Sequence, residues 1–402
     1  MELSEYGEKF LFLAHRIDKH NKGYVDFYIG PKKIREIVDN EVVSSPNKLL
    51  TDCKALQKDL FKQGYDKKRE RYLEKILTAM RTSIEILNGN EISIKEQFLK
   101  QFDVPLLPVN ESELDNLKEE FNEAYGGFEG LEEKMNDLRI RRTVPGAEVF
   151  VLFKKALNIV KLRTTEMFVN ILPQKERIFI NLVKNKNVDE VKWAYYNWYL
   201  GNFRSRIDVN PNFNIYWTTF LSAAAHEGYP GHHMEFSIKE QKLYRELNQF
   251  EHSILLLNSP KLMISEGIAE HSLNMLFSYR EQAEIGLQSF CPDALKEDSL
   301  EVMIAQNKVK GKLTLFWYNF AYHSLIDKWS EEKLIQYATN FEVFSYETIK
   351  NQLKKIFNLV HSTTVFSYNI GRNLIINKYG VFPSVKNFRN LLINPILPSD
   401  LM

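Results

Sequence analysis

The chain has 402 residues and a hydrophobic share of 44%, enough to bury the core of one large domain or two moderate ones. Its 53 Lys and Arg residues balance 52 Asp and Glu residues, so the net charge of +1 gives no reason to expect a nucleic acid or a charged membrane surface as partner. The two cysteines, Cys53 and Cys291, lie far apart, which argues against a disulfide framework and a cysteine-based metal site. The first residues lack a signal-peptide pattern, and no run of about 18 apolar residues could span a membrane, so we expect a cytoplasmic protein.

The first part of the chain, residues 1–172, is predicted to be helical. Apolar residues such as Phe10 and Leu13 recur at the spacing of one helix face. A long charged helix is predicted over residues 48–88, with a break at Gly64.

The character of the sequence changes after Pro173. Three segments are rich in β-branched and aromatic residues and resemble strands, at 177–183, 191–196 and 202–209. The helical period resumes at Ile215 and continues nearly to the C-terminus. We therefore predict a mainly α fold with a small antiparallel β-sheet beside the helix that follows Ile215. The regions 1–172 and 173–402 are expected to form one continuous structural unit.

The histidines are concentrated in one stretch, since five of the nine fall between His226 and His271. His226-Glu227 resembles the start of an HExxH motif, in which two histidines one turn apart bind zinc and the Glu acts as general base. The i+4 position is Pro230, which cannot bind a metal. A Pro-Gly step can bulge or break a helix, which would bring His232 to the place of the second ligand. His233, on the same face of an unbroken helix, is the alternative.

A third ligand is expected from a later helix, and Glu266 is the candidate because it opens a helical run 40 residues after His226. Glu270, one turn further on, could orient a ligand histidine. Three protein ligands would leave an open position for water, as in catalytic zinc sites. Each feature alone is more often a surface glutamate or a histidine in a turn, and only their combination on a histidine-poor chain indicates a metal.

This pattern resembles the family known as domain of unknown function 885, regarded as zinc peptidases with a His-Glu-x-x-Pro-Gly-His-His core. Further similar segments are spread along the chain: Arg16–Pro31, Asn197–Asn210, Glu266–Ala269, His323 with the residues that follow it, and Tyr368–Gly371. The chain departs from the family pattern at Asn319, where an Asp is usual, and at Ser362–Val365, where the family has Pro-Gly-Gln-Ala. The resemblance implies a helical gluzincin-like metallopeptidase fold, in which residues 1–172 form part of a shell over the cleft.

The expected function is therefore a zinc-dependent metallopeptidase acting on short peptides, carboxypeptidase- or oligopeptidase-like. Zn²⁺ would bind His226, His232 and Glu266, and Glu227 would act as general base. Two other functions stay open: a zinc hydrolase of a non-peptide amide, and a non-catalytic helical scaffold with a structural metal.

Other residues are candidates for contacts with the substrate. Tyr368 and His323 could donate to an oxyanion, although each could instead be a satisfied core residue. The strand over residues 202–210 could pair with an extended peptide. Arg204, Arg206 and Asn210 are its predicted substrate-binding residues, and the two arginines could equally be solvated charges on an edge strand.

Overall fold

The computed structural model describes residues 3–127, 130–183, 193–292, 299–356 and 366–402. The segment Ser362–Val365, at which the chain departs from the family pattern, lies outside the described residues. So do the first two residues of the strand predicted at 191–196.

The described residues are 66% helical and 7% strand, which confirms the prediction of a mainly α fold with a small sheet. The helices before the first long strand are α1 Glu5–Asp18, α2 Lys32–Asn40, α3 Pro46–Leu60, α4 Lys67–Leu87, α5 Ile94–Phe102, α6 Glu111–Tyr125, α7 Leu131–Arg142 and α8 Gly146–Met167. The helices after it are α9 Phe220–Glu227, α10 His232–Lys239, α11 Pro260–Leu276, α12 Tyr279–Ser289, α13 Leu300–Lys310, α14 Leu313–Leu325, α15 Glu331–Asn340, α16 Tyr346–Ile356, α17 Ser367–Tyr379 and α18 Val385–Ile393.

Local sequence signals explain many of these boundaries. Ser45 caps α3 by accepting a hydrogen bond from the backbone N–H of Lys48, and Pro46 occupies the first helical position. Ser278 and Glu281 form a reciprocal capping box at the start of α12. The predicted break at Gly64 separates α3 from α4.

The strands among the described residues form two small sheets. Strands β1 (Val25–Tyr28) and β5 (Ile254–Leu256) make an antiparallel pair. Strands β2 (Arg177–Leu182), β3 (Tyr195–Tyr199) and β4 (Arg204–Val209) form a three-stranded sheet in the order β2-β4-β3. In it β3 and β4 are antiparallel, as expected, whereas β2 runs parallel to β4.

The buried core crosses the expected boundary at residue 172. Phe153 of α8 and Phe220 of α9 are both fully buried in one large hydrophobic cluster. A second cluster is built on α1, α3 and α4 and includes Phe250, Ile254 and Leu256 from the later part of the chain. Residues from both regions therefore contribute to each cluster, and the expectation that 1–172 and 173–402 form one continuous structural unit stays a prediction.

The chain around the histidine motif is a broken helix. Helix α9 ends at Glu227 and α10 begins at His232, so the Pro-Gly step interrupts the helix as the sequence predicted. A Cβ on Gly231 would lie 2.0 Å from the carbonyl oxygen of His226, so the break requires glycine here. In the part of the chain that the structure describes, none of the helices is long and apolar enough to cross a membrane.

Candidate metal centre

Three side chains from α9, α10 and α11 converge at the broken helix. His226 Nε2 lies 3.7 Å from one carboxylate oxygen of Glu266, and His232 Nε2 lies 3.7 Å from the other. One ligand atom from each residue can be chosen so that all three atoms lie within 4.8 Å of one another. The structure thus brings together the three residues that the sequence suggested as a ligand set, from positions up to 40 residues apart.

The donor set and its spacing fit a zinc-type ion. Ligands about 2.0–2.1 Å from a tetrahedral ion lie roughly 3.3 Å apart, so small side-chain movements would close the observed spacing. Glu266 Oε2 is buried and accepts no hydrogen bond. A buried carboxylate oxygen without a partner is costly, and a cation between it and the two imidazoles would remove that cost. Burial and the neighbouring Glu270 carboxylate raise the pKa of Glu266 well above its usual range in the metal-free protein.

Behind His232 a chain of hydrogen bonds leads away from the centre. Ser265 donates its hydroxyl proton to Glu235 at 2.6 Å, and His232 Nδ1 lies 3.2 Å from the same hydroxyl oxygen. Because the serine proton is committed to Glu235, the serine oxygen accepts from Nδ1–H, which leaves the lone pair on Nε2. Glu235 is itself paired with buried Lys239 at 2.6 Å.

His226 has a carboxylate neighbour in the corresponding place. Its Nδ1 lies 3.4 Å from Glu270 Oε1, one helical turn after Glu266 on α11. A carboxylate beside Nδ1–H orients the ring and leaves Nε2 facing Glu266. Both histidines therefore present the same nitrogen to the centre.

Glu227 lies next to the centre without belonging to the ligand set. Only 8% of the residue is exposed, and burial raises the pKa of its carboxyl group above the usual range. Asn197 on β3 donates a hydrogen bond to the backbone carbonyl of Glu227 at 2.5 Å, which anchors the end of α9 to the sheet.

His233 points into a different part of the protein. Its Nδ1 lies 2.8 Å from the Ser205 hydroxyl on β4, and its Nε2 lies 2.9 Å from Glu176 Oε2. Glu176 also accepts hydrogen bonds from Lys161 and Tyr229. The break in the helix therefore divides the two adjacent histidines between the candidate metal centre and a buried polar cluster.

Two cavities meet at the centre, and both are lined by Tyr195, His226, Glu227 and Tyr368. The first cavity, about 270 Å³, continues towards β1, β5 and the aromatic residues of β3. The second, about 440 Å³, is more open and is bordered by Thr219, Ser222 and Glu270. A molecule held at the centre could therefore extend to either side of it.

Tyr368 is placed between the two cavities, on the first turn of α17. It is 45% exposed, so it is not the buried core tyrosine that was the alternative. The negative charge of Glu266, followed by burial of the hydroxyl group, raises the pKa of Tyr368 well above its usual range. The hydroxyl is therefore protonated at neutral pH and can donate a hydrogen bond.

His323 is found elsewhere and lines neither cavity. Its Nδ1 lies 2.7 Å from Asp327 and its Nε2 lies 3.0 Å from Glu111, while its ring stacks on Trp329 at 3.8 Å. The structure therefore does not bring His323 to the centre, since these partners occupy both nitrogens in a separate cluster, and its catalytic role stays a prediction. Asn319, on the same helix as His323, donates a hydrogen bond to the backbone carbonyl of Val109 and so holds the loop that precedes α6.

The predicted substrate strand is also corrected. Strand β4 is the central strand of its sheet and is paired on both sides, so its backbone cannot pair with a peptide. Arg206 forms an ion pair with Asp208 at 2.9 Å, and Arg204 Nε lies 3.4 Å from the carbonyl oxygen of Gly201. Asn210 is 1% exposed, and its side-chain oxygen accepts hydrogen bonds from Asn212 in a turn. None of these three predicted substrate-binding residues lines the cavities at the centre.

The sequence pattern does not indicate the residues that form the wall of the first cavity. Asp26 of β1 lies in it together with Trp193, Tyr195 and Tyr196. Tyr196 donates a hydrogen bond to Asp26, across 170 positions of sequence. The segment around Asp26 is similar to the family pattern, but its residue spacing gives no indication that Asp26 reaches this cavity.

Comparisons with known proteins give fold similarity only. Neither a protein-family model nor a curated protein matches the chain. One similar solved structure is a "putative lipoprotein" from Colwellia psychrerythraea, with a TM-score of 0.56 and 12% identity over 92% of this chain and 68% of that one. Another is a "putative lipoprotein of unknown function" from Shewanella oneidensis, with a TM-score of 0.50 and 12% identity over 90% of this chain and 76% of that one.

These neighbours correct the functional prediction. Proteins that share the fold are described as lipoproteins, one of them of unknown function, and neither description includes a peptidase activity. The prediction of a zinc metallopeptidase acting on short peptides is therefore wrong, because it inferred a reaction and a substrate from a ligand motif and a family resemblance. Membership of the domain of unknown function 885 family and a cytoplasmic location both stay predictions.

Proposed function

We propose that this chain is a metal-dependent enzyme that holds one divalent transition-metal ion through His226, His232 and Glu266, with Zn²⁺ as the ion that best matches these ligands. The observation that carries the proposal is the convergence of two imidazoles and one buried carboxylate where two cavities meet. Two histidines and a glutamate are a ligand set of catalytic zinc sites, which keep one position open.

A bound ion of this kind supplies Lewis acidity, which polarises a substrate oxygen and lowers the pKa of a neighbouring water. Glu227 would take up the proton released there at its carboxylate oxygens, since it lines both cavities and is not one of the three ligands. Tyr368, protonated at neutral pH, would donate a hydrogen bond to a substrate oxygen that gains negative charge. Ser265 and Glu270 would hold the two imidazoles in orientation.

Metal content and a pH titration test the proposal without a known substrate. The wild-type protein and Glu227→Gln should each retain about one ion per chain, whereas Glu266→Gln should lose it. The visible absorption of the cobalt-substituted wild-type protein should change with pH as one proton leaves the site. If another group at the site titrates, this transition should move to lower pH in Glu227→Gln, because a nearby negative charge has been removed. If Glu227 itself titrates, the transition should disappear, because the substitution removes its carboxyl group.

Two results would overturn the proposal. The first is full metal retention in Glu266→Gln, which would mean that the ion binds elsewhere. The second is an identical pH titration of wild type and Glu227→Gln, which would mean that Glu227 neither takes up a proton nor affects one at the centre.

A further inference from the structure

The first cavity has an acidic lining. Three carboxylates line it, those of Asp26, Glu227 and Glu266, and among its described lining residues there is no Lys or Arg. A divalent cation at the centre would offset two of these negative charges and leave one. An anionic molecule would therefore be repelled from this space, whereas a cationic one would be attracted.

Asp26 is the carboxylate without a role in the proposed metal-dependent activity, since Glu266 is a ligand and Glu227 is the proton acceptor. It belongs to β1, and Tyr196 donates a hydrogen bond to one of its oxygens. None of the described residues forms an ion pair with it. Burial raises the pKa of Asp26, and the Tyr196 hydrogen bond opposes this rise, as expected of a carboxylate without a cationic partner.

The surroundings of Asp26 suit an organic cation better than a second metal ion. The rings of Trp193 and Tyr196 pack 4.8 Å apart on the cavity wall, and aromatic faces attract ammonium groups. Leu255, Leu257 and Leu262 add an apolar wall that would cover a carbon skeleton. Among the described residues, the His226, His232 and Glu266 set is the one group of three that could hold a metal ion, and Asp26 does not belong to it.

We propose that the first cavity binds the protonated amine of a small amphipathic molecule, with Asp26 as the residue that determines this specificity. The amine lies between the Asp26 carboxylate and the aromatic faces, and the carbon skeleton lies against the leucines. The identification of this molecule as a substrate rests on the proposed metal-dependent activity, but its binding by Asp26 does not.

Calorimetric titration with two probes of the same shape tests the inference. Benzylamine is protonated at pH 7, and benzyl alcohol is neutral. Benzylamine should bind the metal-loaded wild-type protein more tightly than benzyl alcohol by roughly tenfold to a hundredfold, the value of a hydrogen bond to a charged group. Asp26→Asn should abolish this difference in affinity and retain the metal ion. Asp39→Asn, at an exposed position, serves as the matched control and should keep the difference in affinity. Equal binding of the two probes by the wild-type protein would overturn the inference, and that result does not depend on any variant.

Two further variants separate this inference from the proposed function. Tyr196→Phe keeps the aromatic ring and should keep the preference for benzylamine, whereas loss of the preference would show that the tyrosine hydroxyl, and not Asp26, selects the amine. Glu266→Gln should lose the metal ion and still prefer benzylamine through Asp26. A preference that persists in Asp26→Asn and disappears in Glu266→Gln would mean that the amine binds at the metal centre, either to the ion after losing its proton or to the Glu266 carboxylate, which overturns the role of Asp26. A wild-type protein that binds no metal but prefers benzylamine would refute the metal centre alone.

Discussion

His232 and His233 are adjacent in the chain, yet their imidazole rings project from different faces of α10 and meet different partners. His232 Nε2 faces Glu266 at 3.7 Å, and His233 Nε2 faces Glu176 at 2.9 Å. Successive residues of a helix point about 100° apart, so a helix that begins at His232 must direct the two rings into different surroundings. The start of α10 therefore decides which histidine can bind a metal.

This relationship predicts opposite outcomes for two neighbouring substitutions. His232→Ala should lose the metal ion because it removes one of three ligands. His233→Ala should keep about one ion per chain but unfold at a lower temperature, since it leaves the Glu176 carboxylate with one fewer buried donor. Elemental analysis and thermal unfolding measure the two effects. Metal loss in His233→Ala with retention in His232→Ala would contradict the assignment.

Ser265 should affect metal affinity without contacting the metal. Ser265→Ala removes the oxygen that accepts from His232 Nδ1–H and leaves buried Glu235 without one donor. Loss of such an orienting partner typically weakens metal affinity by roughly 10–100-fold. Competition with a chelator of known affinity measures the change.

Ser272→Ala is the matched control for that experiment. Ser272 is also a buried serine of α11, but its hydroxyl donates to the backbone carbonyl of Ala269 on its own helix. Its removal should leave metal affinity unchanged. An equal loss of affinity in both variants would mean that α11 is simply perturbed, and that the Ser265 hydroxyl has no specific effect on His232.

The local part of the centre could be predicted from sequence because it depends on backbone chemistry. Proline at position 230 cannot continue the hydrogen bonding of a helix, and Gly231 permits a backbone that a Cβ would block. These two residues predict the break, and the break favours His232 over His233. Glu266 could be suggested from its place in a later helical run, but its contact with His226 depends on how α11 packs on α9.

The rest of the site could not be predicted because it arises from long-range packing. Asp26 reaches the first cavity through the pairing of β1 with β5, which joins segments more than 200 residues apart. The alternation in β4 correctly indicated a strand, but alternation does not reveal how many neighbours a strand has. Both interpretations of Arg204 and Arg206, as substrate-binding residues and as solvated charges, place them on an edge strand, whereas β2 and β3 flank β4 on both sides.

The close contact of α11 with α17 leads to a prediction about stability. A Cβ on Gly371 would lie 2.3 Å from the carbonyl oxygen of Met263, and a Cβ on Gly267 would lie 2.5 Å from the carbonyl oxygen of Gly371. Because both obstacles are backbone atoms, the helices would have to move apart. We expect Gly371→Ala to lower the free energy of unfolding by about 1–3 kcal/mol, measured by urea denaturation.

Gly371→Ala should also disturb the candidate metal centre, because Glu266 directly precedes Gly267 and Tyr368 lies one turn before Gly371. Metal affinity should therefore fall together with stability. Gly146→Ala is a suitable control, because its new Cβ would meet Pro211 at an ordinary 3.6 Å at the start of α8. Unchanged stability in Gly371→Ala would mean that the two helices adjust without cost.

The buried cluster around Glu176 predicts how stability depends on pH. Burial alone would raise the pKa of Glu176, but hydrogen bonds from His233, Lys161 and Tyr229 outweigh it and lower the pKa from 4.5 to about 2. A carboxyl group whose pKa is lower in the folded state stabilises the protein fully above its unfolded value. That contribution is lost progressively as the pH falls from about 4.5 towards 2.

Glu176→Gln should therefore be less stable than wild type at pH 7, and the difference should shrink as the pH is lowered from 5 to 3. Urea unfolding of chelator-treated proteins measures it, so that release of a metal ion in acid does not contribute. Lys161→Met removes one donor, 2.6 Å from Glu176, and should show a smaller loss of stability with the same pH dependence. A difference in the free energy of unfolding between wild type and Glu176→Gln that is constant from pH 7 to pH 3 would contradict this prediction. It would mean that the charge of Glu176 does not contribute to stability, because only an ionised carboxylate makes the difference depend on pH in this range.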